Sequence, residues 1–500
     1  MTATSHGAAG TEVTAGAAGT EVTAGADGTA GTGVTALPGA RLWVRRLLGD
    51  LRAGRSCLCL LPQVHLTGSP ATAEALLDEL LHELADFTLV PAPGDGVPTA
   101  GPGPAPPPPP SPDPWGGMDP ILDYDDGLSA FSGVRTGNAA VPRTRAAPAP
   151  DGPPEELGPH SLADRILKEL GDSAADADRH GGTEGLLERL TAAPADPGAA
   201  RVIVVRGWRE PAPTAATDLL RRLSATVKAA GLPPGRRPRL LVLASSAGLP
   251  VELPEQIARE DVGVHWWWGV LGRLDTATVV SMTRPRPPGP AARHQLLEAV
   301  AQATVVEVCG PFLDLAARLA VEWDGLPDGL PAHLLRLTAG PDPDRGVPVP
   351  GPRNAEPTAA PLHPNAALRA EWDRGTLDRW DGRLRRRPDG GAEREHSVRT
   401  RIWLAQNHAL LPLLDEAREQ FTEVIGVRSR ISGTELAALY GPRAEMELGA
   451  MWRAHVQGHV RLSRPEADRL RTLRASRNKL AHRTALDNAA LEALVRVLCS

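Results

Sequence analysis

R-V-I-V-V-R-G-W-R-E, from Arg201 to Glu210, is the stretch that decides the fold. Its first half is a short, unbroken apolar run rich in β-branched residues, the pattern of a strand covered on both faces. Its second half turns abruptly polar where that strand must stop. Two runs of the same kind follow, L-L-V-L-A (Leu240–Ala244) and V-H-W-W-W (Val264–Trp268). Two precede it, C-L-C-L-L (Cys57–Leu61) and F-T-L-V (Phe87–Val90). Between them lie helical patterns: a short amphipathic one through Leu42–Leu51, then Ala71–Ala85, Ser161–Leu170, Leu186–Leu190, Thr214–Ala230 and Pro254–Glu260. Buried strands alternating with helices predict an α/β domain with a parallel sheet. Helices near Asp275–Met282, His294–Val308 and Phe312–Trp323 are expected as a lid on it.

Outward from this core the composition changes. G-A-A-G-T-E-V-T-A occurs twice in succession within residues 7–36, a unit too short and polar to bury a core. Residues 1–38 are therefore expected to be a disordered tail, with structure beginning near Arg41. The α/β domain spans 39–338 and carries an insertion at about 91–156 dominated by Pro, Gly, Ala and Asp. Inside that insertion, Ile121–Asp126 (I-L-D-Y-D-D) reads either as a docking peptide or as more disordered chain. A second Pro/Gly-rich linker covers 339–364. The remainder, 365–500, reads as an all-α bundle with helices at Ala366–Arg387, Glu393–Ile425, Gly433–Leu462, Arg464–His482 and Asn488–Leu498. Pro412 is expected to kink or break the second of these and Pro442 the third, with Gly426 and Gly441 as further breaks. Ser463 before Arg464-Pro465 has the form of an N-cap.

Charge and composition exclude several classes. A net charge of −6 argues against a chain that coats nucleic acid generally, so any RNA contact would be a local patch. Cys57, Cys59, Cys309 and Cys499 are too few and scattered for a disulfide framework or a zinc site, which fits a reducing cytoplasm. No apolar stretch approaches the ~20 residues of a membrane helix. The N-terminus has neither the basic region nor the apolar core of a signal peptide. A soluble cytoplasmic protein is expected, without metal or cofactor. Only Lys168, Lys228 and Lys479 are lysines, and arginine supplies the other 51 of 54 basic residues, as in coding from GC-rich, for example actinobacterial, genomes.

The order of helix, buried strand, loop, helix and further strands ending in polar residues resembles P-loop NTPases of the AAA and STAND type, over roughly residues 40–338. The resemblance lies in order and spacing, and the motifs of those enzymes are missing. A Walker loop needs glycines that let backbone N–H groups wrap a phosphate, followed by a lysine. Here the segment after Leu61 reads P-Q-V-H-L-T-G-S-P-A-T-A, with Gly68 its only glycine and no lysine. Arg206 and Gly207 stand where a magnesium-binding carboxylate would be. The resemblance therefore implies an inactive NTPase-like module. His65, Thr67, Ser245 and Ser246 are the strand-end polar groups that could meet a ligand, although ordinary loop polarity accounts for them. The run Trp266–Trp268 reads as core packing, with Trp266 and Trp268 on one strand face and Trp267 on the other. R-L-R-R-R at Arg383–Arg387 reads as a solvated helix end or a local RNA-attracting patch.

Near the C-terminus, R-N-K-L-A-H (Arg477–His482) lies amid apolar residues at helical spacing, among them Leu470, Leu473, Leu480, Leu486, Leu491 and Leu494. An Arg with a polar neighbour, then a His after four intervening residues in a C-terminal helical bundle, resembles the HEPN superfamily. That resemblance covers about the last hundred residues. It implies a metal-independent ribonuclease of a defence or toxin system, working as a homodimer whose motifs face a shared cleft and leaving a 2′,3′-cyclic phosphate. His482 suits the base that takes the 2′-OH proton, because imidazole as a side-chain type titrates near neutrality. Arg477 suits the phosphate clamp, and Asn478, one turn before His482, could orient the imidazole or hold a phosphate oxygen. Arg471, Arg474, Lys479 and Arg483 would form the RNA surface. Residues five apart on a straight helix diverge by about 140°, so the helix must bend or end there, or a second subunit must supply one group. His482-Arg483-Thr484 followed by Asp487-Asn488 has the form of a helix end and a new N-cap. His455 and His459, four apart, are expected to share a helix face without completing a metal site.

The expected protein is thus an endoribonuclease effector with an NTPase-like sensing or docking domain. The alternative is a non-enzymatic adaptor, or regulatory partner of an active ATPase.

Overall fold

The computed structural model describes residues 33–67, 70–84, 86–93, 161–171, 182–192, 201–285, 291–338, 359–388 and 392–500. The repeats of the expected tail, most of the Pro-rich insertion with Ile121–Asp126, and residues 339–358 of the linker lie outside them.

Five strands make one parallel sheet: β1 (Cys57–Leu61), β2 (Phe87–Leu89), β3 (Val202–Arg206), β4 (Arg239–Ser245) and β5 (Gly263–Trp266), in the order β2-β3-β4-β1-β5. Every strand predicted from an apolar run is present. β1 lies between β4 and β5, with Cys57 aligned to Leu241 on one side and Gly263 on the other. Because a strand's side chains alternate, each continuous apolar run feeds two cores. Cys57, Cys59, Leu61, Val202, Val204, Leu241 and Leu243 pack under α1 (Pro38–Arg52) and α3 (Pro70–His82). Leu58, Leu60, Ile203, Val205, Leu240, Val242 and Ala244 pack under α4 (Leu162–Glu169), α5 (Gly182–Thr191), α6 (Ala215–Ala229) and α7 (Leu253–Ala258). α2 (Val64–Thr67) is a single turn in the loop after β1.

The three helices expected as a lid, α8 (Arg273–Thr283), α9 (Ala292–Cys309) and α10 (Leu313–Glu322), are present and are followed by α11 (Leu330–Thr338). Asp275 on α8 accepts from the backbone N–H of Gly39 at 2.8 Å, tying this layer to α1. Val280, Val305, Leu315, Leu319 and Leu334 form a third core, which Val398 and Ile402 of the C-terminal region complete.

The expected helix Ala366–Arg387 is corrected: only α12 (Ala366–Asp373) is helical, and a hairpin of β6 (Leu377–Trp380) and β7 (Arg383–Arg386) follows. Asp381 (φ 49°) and Gly382 (φ 78°) turn it with two consecutive left-handed residues, the backbone that an Asp-Gly pair provides. Trp372 and Leu377 belong to the sheet's first core, so this segment packs on the α/β layers. Arg383–Arg387 is consequently not a solvated helix end. Arg385 meets buried Glu307 at 2.8 Å, and Arg386 and Arg387 pair with Glu371 and Asp314.

The rest is helical: α13 (Ala392–Arg428), α14 (Gly433–Tyr440), α15 (Leu448–Val456), α16 (Arg464–Ala481) and α17 (Asn488–Leu498). Pro412 breaks nothing, and α13 runs through it. Its missing N–H costs a helix about 3 kcal/mol, which the burial of Leu410, Leu414, Phe421 and Ile425 in one core offsets. Gly426 does not end α13 either; a Cβ there would stand 2.3 Å from the Arg443 guanidinium. Gly441 (φ 90°) does stop α14, just before Pro442. Among the described residues no helix is long and apolar enough to cross a membrane.

Candidate functional site

Two polar clusters were anticipated from the sequence, one at the carboxyl ends of the strands and one at the end of α16. The chain leaves β1 over the α1/α3 face towards β2 and leaves β4 over the opposite face towards β5. The crevice between the carboxyl ends of β1 and β4 is therefore a topological switch point, the usual place for a ligand in an open α/β sheet.

That crevice is filled by the chain itself. Ser245 Oγ donates to Gln63 Oε1 at 2.5 Å, and Ser246 Oγ lies 2.8 Å from both carboxylate oxygens of Asp373 on α12. Asp373 also accepts from the backbone N–H of Gln63 at 3.2 Å. Arg369, one turn earlier, donates to Ser246 O at 2.8 Å and lies over the Trp266 ring. Arg369 and Asp373 are 4% and 9% exposed, so the pair has replaced solvent in the crevice. Burial pushes the Asp373 carboxyl above its usual range, partly countered by Ser246, Gln63 N–H and Arg369. In the loop after β1, burial holds His65 down to about 4, so its imidazole is neutral at working pH.

The tryptophan run serves this closure. β5 ends at Trp266, and Trp267 and Trp268 both enter the sheet's first core, so the expected alternation of faces does not extend past the strand. Trp372 packs against Trp266 at 5.8 Å and Trp268 at 6.0 Å, and Trp268 Nε1 donates to Pro361 O at 3.1 Å. Packing is the role they play.

The second cluster is open. α16 starts at Ser463, the N-cap that the sequence predicts, in a capping box completed by Glu466, and ends at Ala481. His482 is its C-cap, and Arg483 (φ 58°) turns the chain away in the left-handed region. The loop that follows is clamped from α13: buried Gln406 donates to Leu486 O at 3.0 Å and accepts from Leu486 N at 2.6 Å. Trp403 Nε1 donates to Leu480 O at 2.6 Å, satisfying a carbonyl of the last turn. Asp487 caps α17 by accepting from Ala490 N at 2.8 Å, while its other oxygen takes Lys479 Nζ at 2.8 Å. Sequence reading found the end of the helix and the cap but missed Gln406 and Trp403.

At 100° per residue, Arg471, Arg474, Asn478 and His482 line one face of α16 within about 80°. Arg477 leaves the axis about 140° from His482, since the helix stays regular between them. Asn478 and His482 are exposed, and Arg477 is half-buried. Among the described residues, the side chains of Arg474, Arg477, Asn478 and His482 make no hydrogen bond or ion pair, and Thr484 Oγ1 donates to the His482 carbonyl at 3.4 Å. The other basic residues are partly engaged: Arg471 pairs with Asp468 at 2.6 Å, and Lys479 with Asp487. Arg471 and Arg474 both lie over the Trp452 ring, and Arg483 lies over Trp403. His455 and His459 do not share a helix, because α15 ends at Val456 and His459 bonds Tyr440.

Comparison with protein-family models, with curated proteins and with solved structures found no match to this chain.

Proposed function

We propose that the C-terminal helices form a HEPN-like, metal-independent endoribonuclease, the effector of a bacterial defence or conflict system acting in the cytoplasm. The α/β part is then an inactive NTPase-like module that senses or docks a partner. The observation that carries this reading is the open face of α16. Among the described residues, Asn478 and His482 reach water with no hydrogen bond or ion pair on their side chains, at a helix end held by Gln406 and Trp403, and the half-buried Arg474 and Arg477 near them form no ion pair. Arginines stacked on Trp452 beside that face suit a phosphate backbone, and the two exposed ion pairs there are weak enough for RNA to displace.

His482 takes the proton from a ribose 2′-OH, and the 2′-oxygen attacks the adjacent phosphorus. The bond to the 5′-oxygen breaks, leaving a 2′,3′-cyclic phosphate, and the departing 5′-oxygen takes a proton from water to become a hydroxyl. A guanidinium steadies the charge gathering on the phosphate. The divergence of Arg477 from His482 on one helix favours a homodimer, in which a second copy brings its arginine to the histidine.

The test is cleavage of total RNA and tRNA by the purified chain in EDTA, wild type beside His482→Ala. Loss of cleavage in the variant supports the nuclease. Equal cleavage by both proteins, or none by the wild type, sinks it. A second reading, a non-enzymatic adaptor or partner of an active ATPase, draws on the closed crevice, which leaves the α/β part its outer surface for contacts.

A further inference from the structure

At the amino-terminal edge of the same sheet, far along the strands from the crevice, three donor atoms converge. Asp50 comes from the last turn of α1, Cys57 opens β1, and His265 is the third residue of β5. One carboxylate oxygen, the thiol sulfur and one imidazole nitrogen lie within 4.8 Å of one another. Asp50 Oδ2 and His265 Nε2 are hydrogen-bonded at 3.1 Å, a contact that a cation held by both would replace. Gly263, aligned with Cys57 across the ladder, leaves the space between them open. A Cβ on Gly263 would stand 2.5 Å from Asp50 Oδ2, 3.0 Å from His265 Nε2 and 3.2 Å from Cys57 Sγ. The three donors thus gather on the side of Gly263 that carries no side chain, and bonds of about 2.0–2.3 Å to one ion would draw them together around it.

We propose that Asp50, Cys57 and His265 bind a zinc ion that fastens α1 to β1 and to the edge strand β5. One sulfur, one nitrogen and one oxygen donor suit zinc better than the oxygen-seeking magnesium or calcium. A water takes the fourth position, since the Asp50 and His265 side chains keep 20% and 11% of their exposure. The surroundings already hold the ligands as an outer shell would. Arg55 binds the other Asp50 oxygen, and the Trp43 ring meets the His265 ring edge-on at 6.4 Å. Burial lowers the pKa of His265, keeping its imidazole neutral and able to ligate. Without metal, burial and the charge of Asp50 drive the Cys57 thiol far up, and its best contacts are carbonyls at 3.9 and 4.0 Å. Binding releases the thiol proton. None of these residues belongs to α16, so this inference stands apart from RNA cleavage.

The experiment strips the full-length chain with a chelator and titrates it with cobalt(II), then zinc. Expected are one equivalent of cobalt, a near-ultraviolet thiolate-to-cobalt band with the visible bands of a four-coordinate ion, and displacement by zinc. His265→Ala and Cys57→Ser should each weaken binding at least tenfold, and Cys499→Ser, which removes the exposed thiol, should leave the band intact. Gly263→Ala keeps every donor but crowds all three, so it should lose the band while circular dichroism reports an unchanged fold. Should Cys57→Ser fail to fold, His265→Ala and Gly263→Ala decide. A wild type without a thiolate band, a band unchanged in those two variants, or one that vanishes in Cys499→Ser overturns the zinc site.

Discussion

The switch-point crevice and the open face of α16 are both polar, both sit at the ends of regular elements, and yet differ in what their polar groups face. In the crevice, Ser246, Asp373 and Arg369 are buried and bond one another or the backbone, and the half-buried Ser245 bonds the Gln63 side chain. On α16, Asn478 and His482 reach water from a backbone that is fully tied down beneath them. Polarity at a strand end fits either a ligand contact or ordinary loop polarity. The better criterion is polarity left unsatisfied on a fixed frame, because satisfied groups stabilise and only open ones can bind. This contrast fails if the crevice residues matter for RNA chemistry or the α16 residues matter for folding.

The largest expected effect is therefore on chemistry without stability. His482→Ala should lower RNA cleavage by about 10²- to 10⁴-fold, the usual contribution of a general base. The thermal midpoint should barely move, since an exposed side chain without partners is worth about 0.5 kcal/mol or less. Single-turnover cleavage and calorimetry on the same samples check both halves. A variant that unfolds would put His482 in the structural class instead.

The mirror experiment is Arg369→Ala. Removing this 4%-exposed guanidinium strips its bond to Ser246 O and leaves the Asp373 carboxylate without its nearby cation. Breaking such a buried arrangement costs about 3–5 kcal/mol. Denaturant unfolding should show the loss, with cleavage per folded molecule unchanged.

Gln406→Ala probes the boundary between the two classes. It deprives both backbone groups of Leu486 of their buried partner, at a cost of about 1–3 kcal/mol. It should also loosen the loop next to His482, raising amide exchange at Leu486 and lowering cleavage several-fold. Unaltered cleavage at reduced stability would mean that the loop does not position His482.

How far the sequence reached follows the range of the interactions. The strands were legible because a sheet covered on both faces needs every residue apolar, a local signal that no tertiary detail overrides. The end of α16 was legible from its own turn residues, Arg483 and Asp487. The hairpin after α12 carried a readable sign, Asp381-Gly382 between alternating residues, but the leucines and arginines around it fitted a helical period equally well. The closure of the crevice was not readable at all. Asp373 lies 127 residues from Ser246, and nothing local marks either as the other's partner. Gln406 is likewise 80 residues from the loop that it clamps.

The smallest expected effect tests whether the hairpin, like the crevice, is satisfied polarity at some cost. Asp378 on β6 accepts from Gly269 N at 3.0 Å and from Arg379 N at 2.7 Å, yet burial raises its carboxyl to about 7. A carboxyl that holds its proton more tightly folded than unfolded favours folding most at low pH, below its unfolded value of 3.8. That contribution fades as pH rises through 7, where the buried group must ionise. Asp378→Asn keeps an acceptor oxygen for Gly269 and carries no charge, so it should stabilise the chain at pH 8, by on the order of 1 kcal/mol because the half-buried side chain is partly screened by solvent. The gain should disappear towards pH 4, where the native carboxyl is already neutral, and unfolding midpoints compared at the two pH values measure it. A gain of equal size at both would assign the effect to packing, and the hairpin would then be held by contacts indifferent to charge.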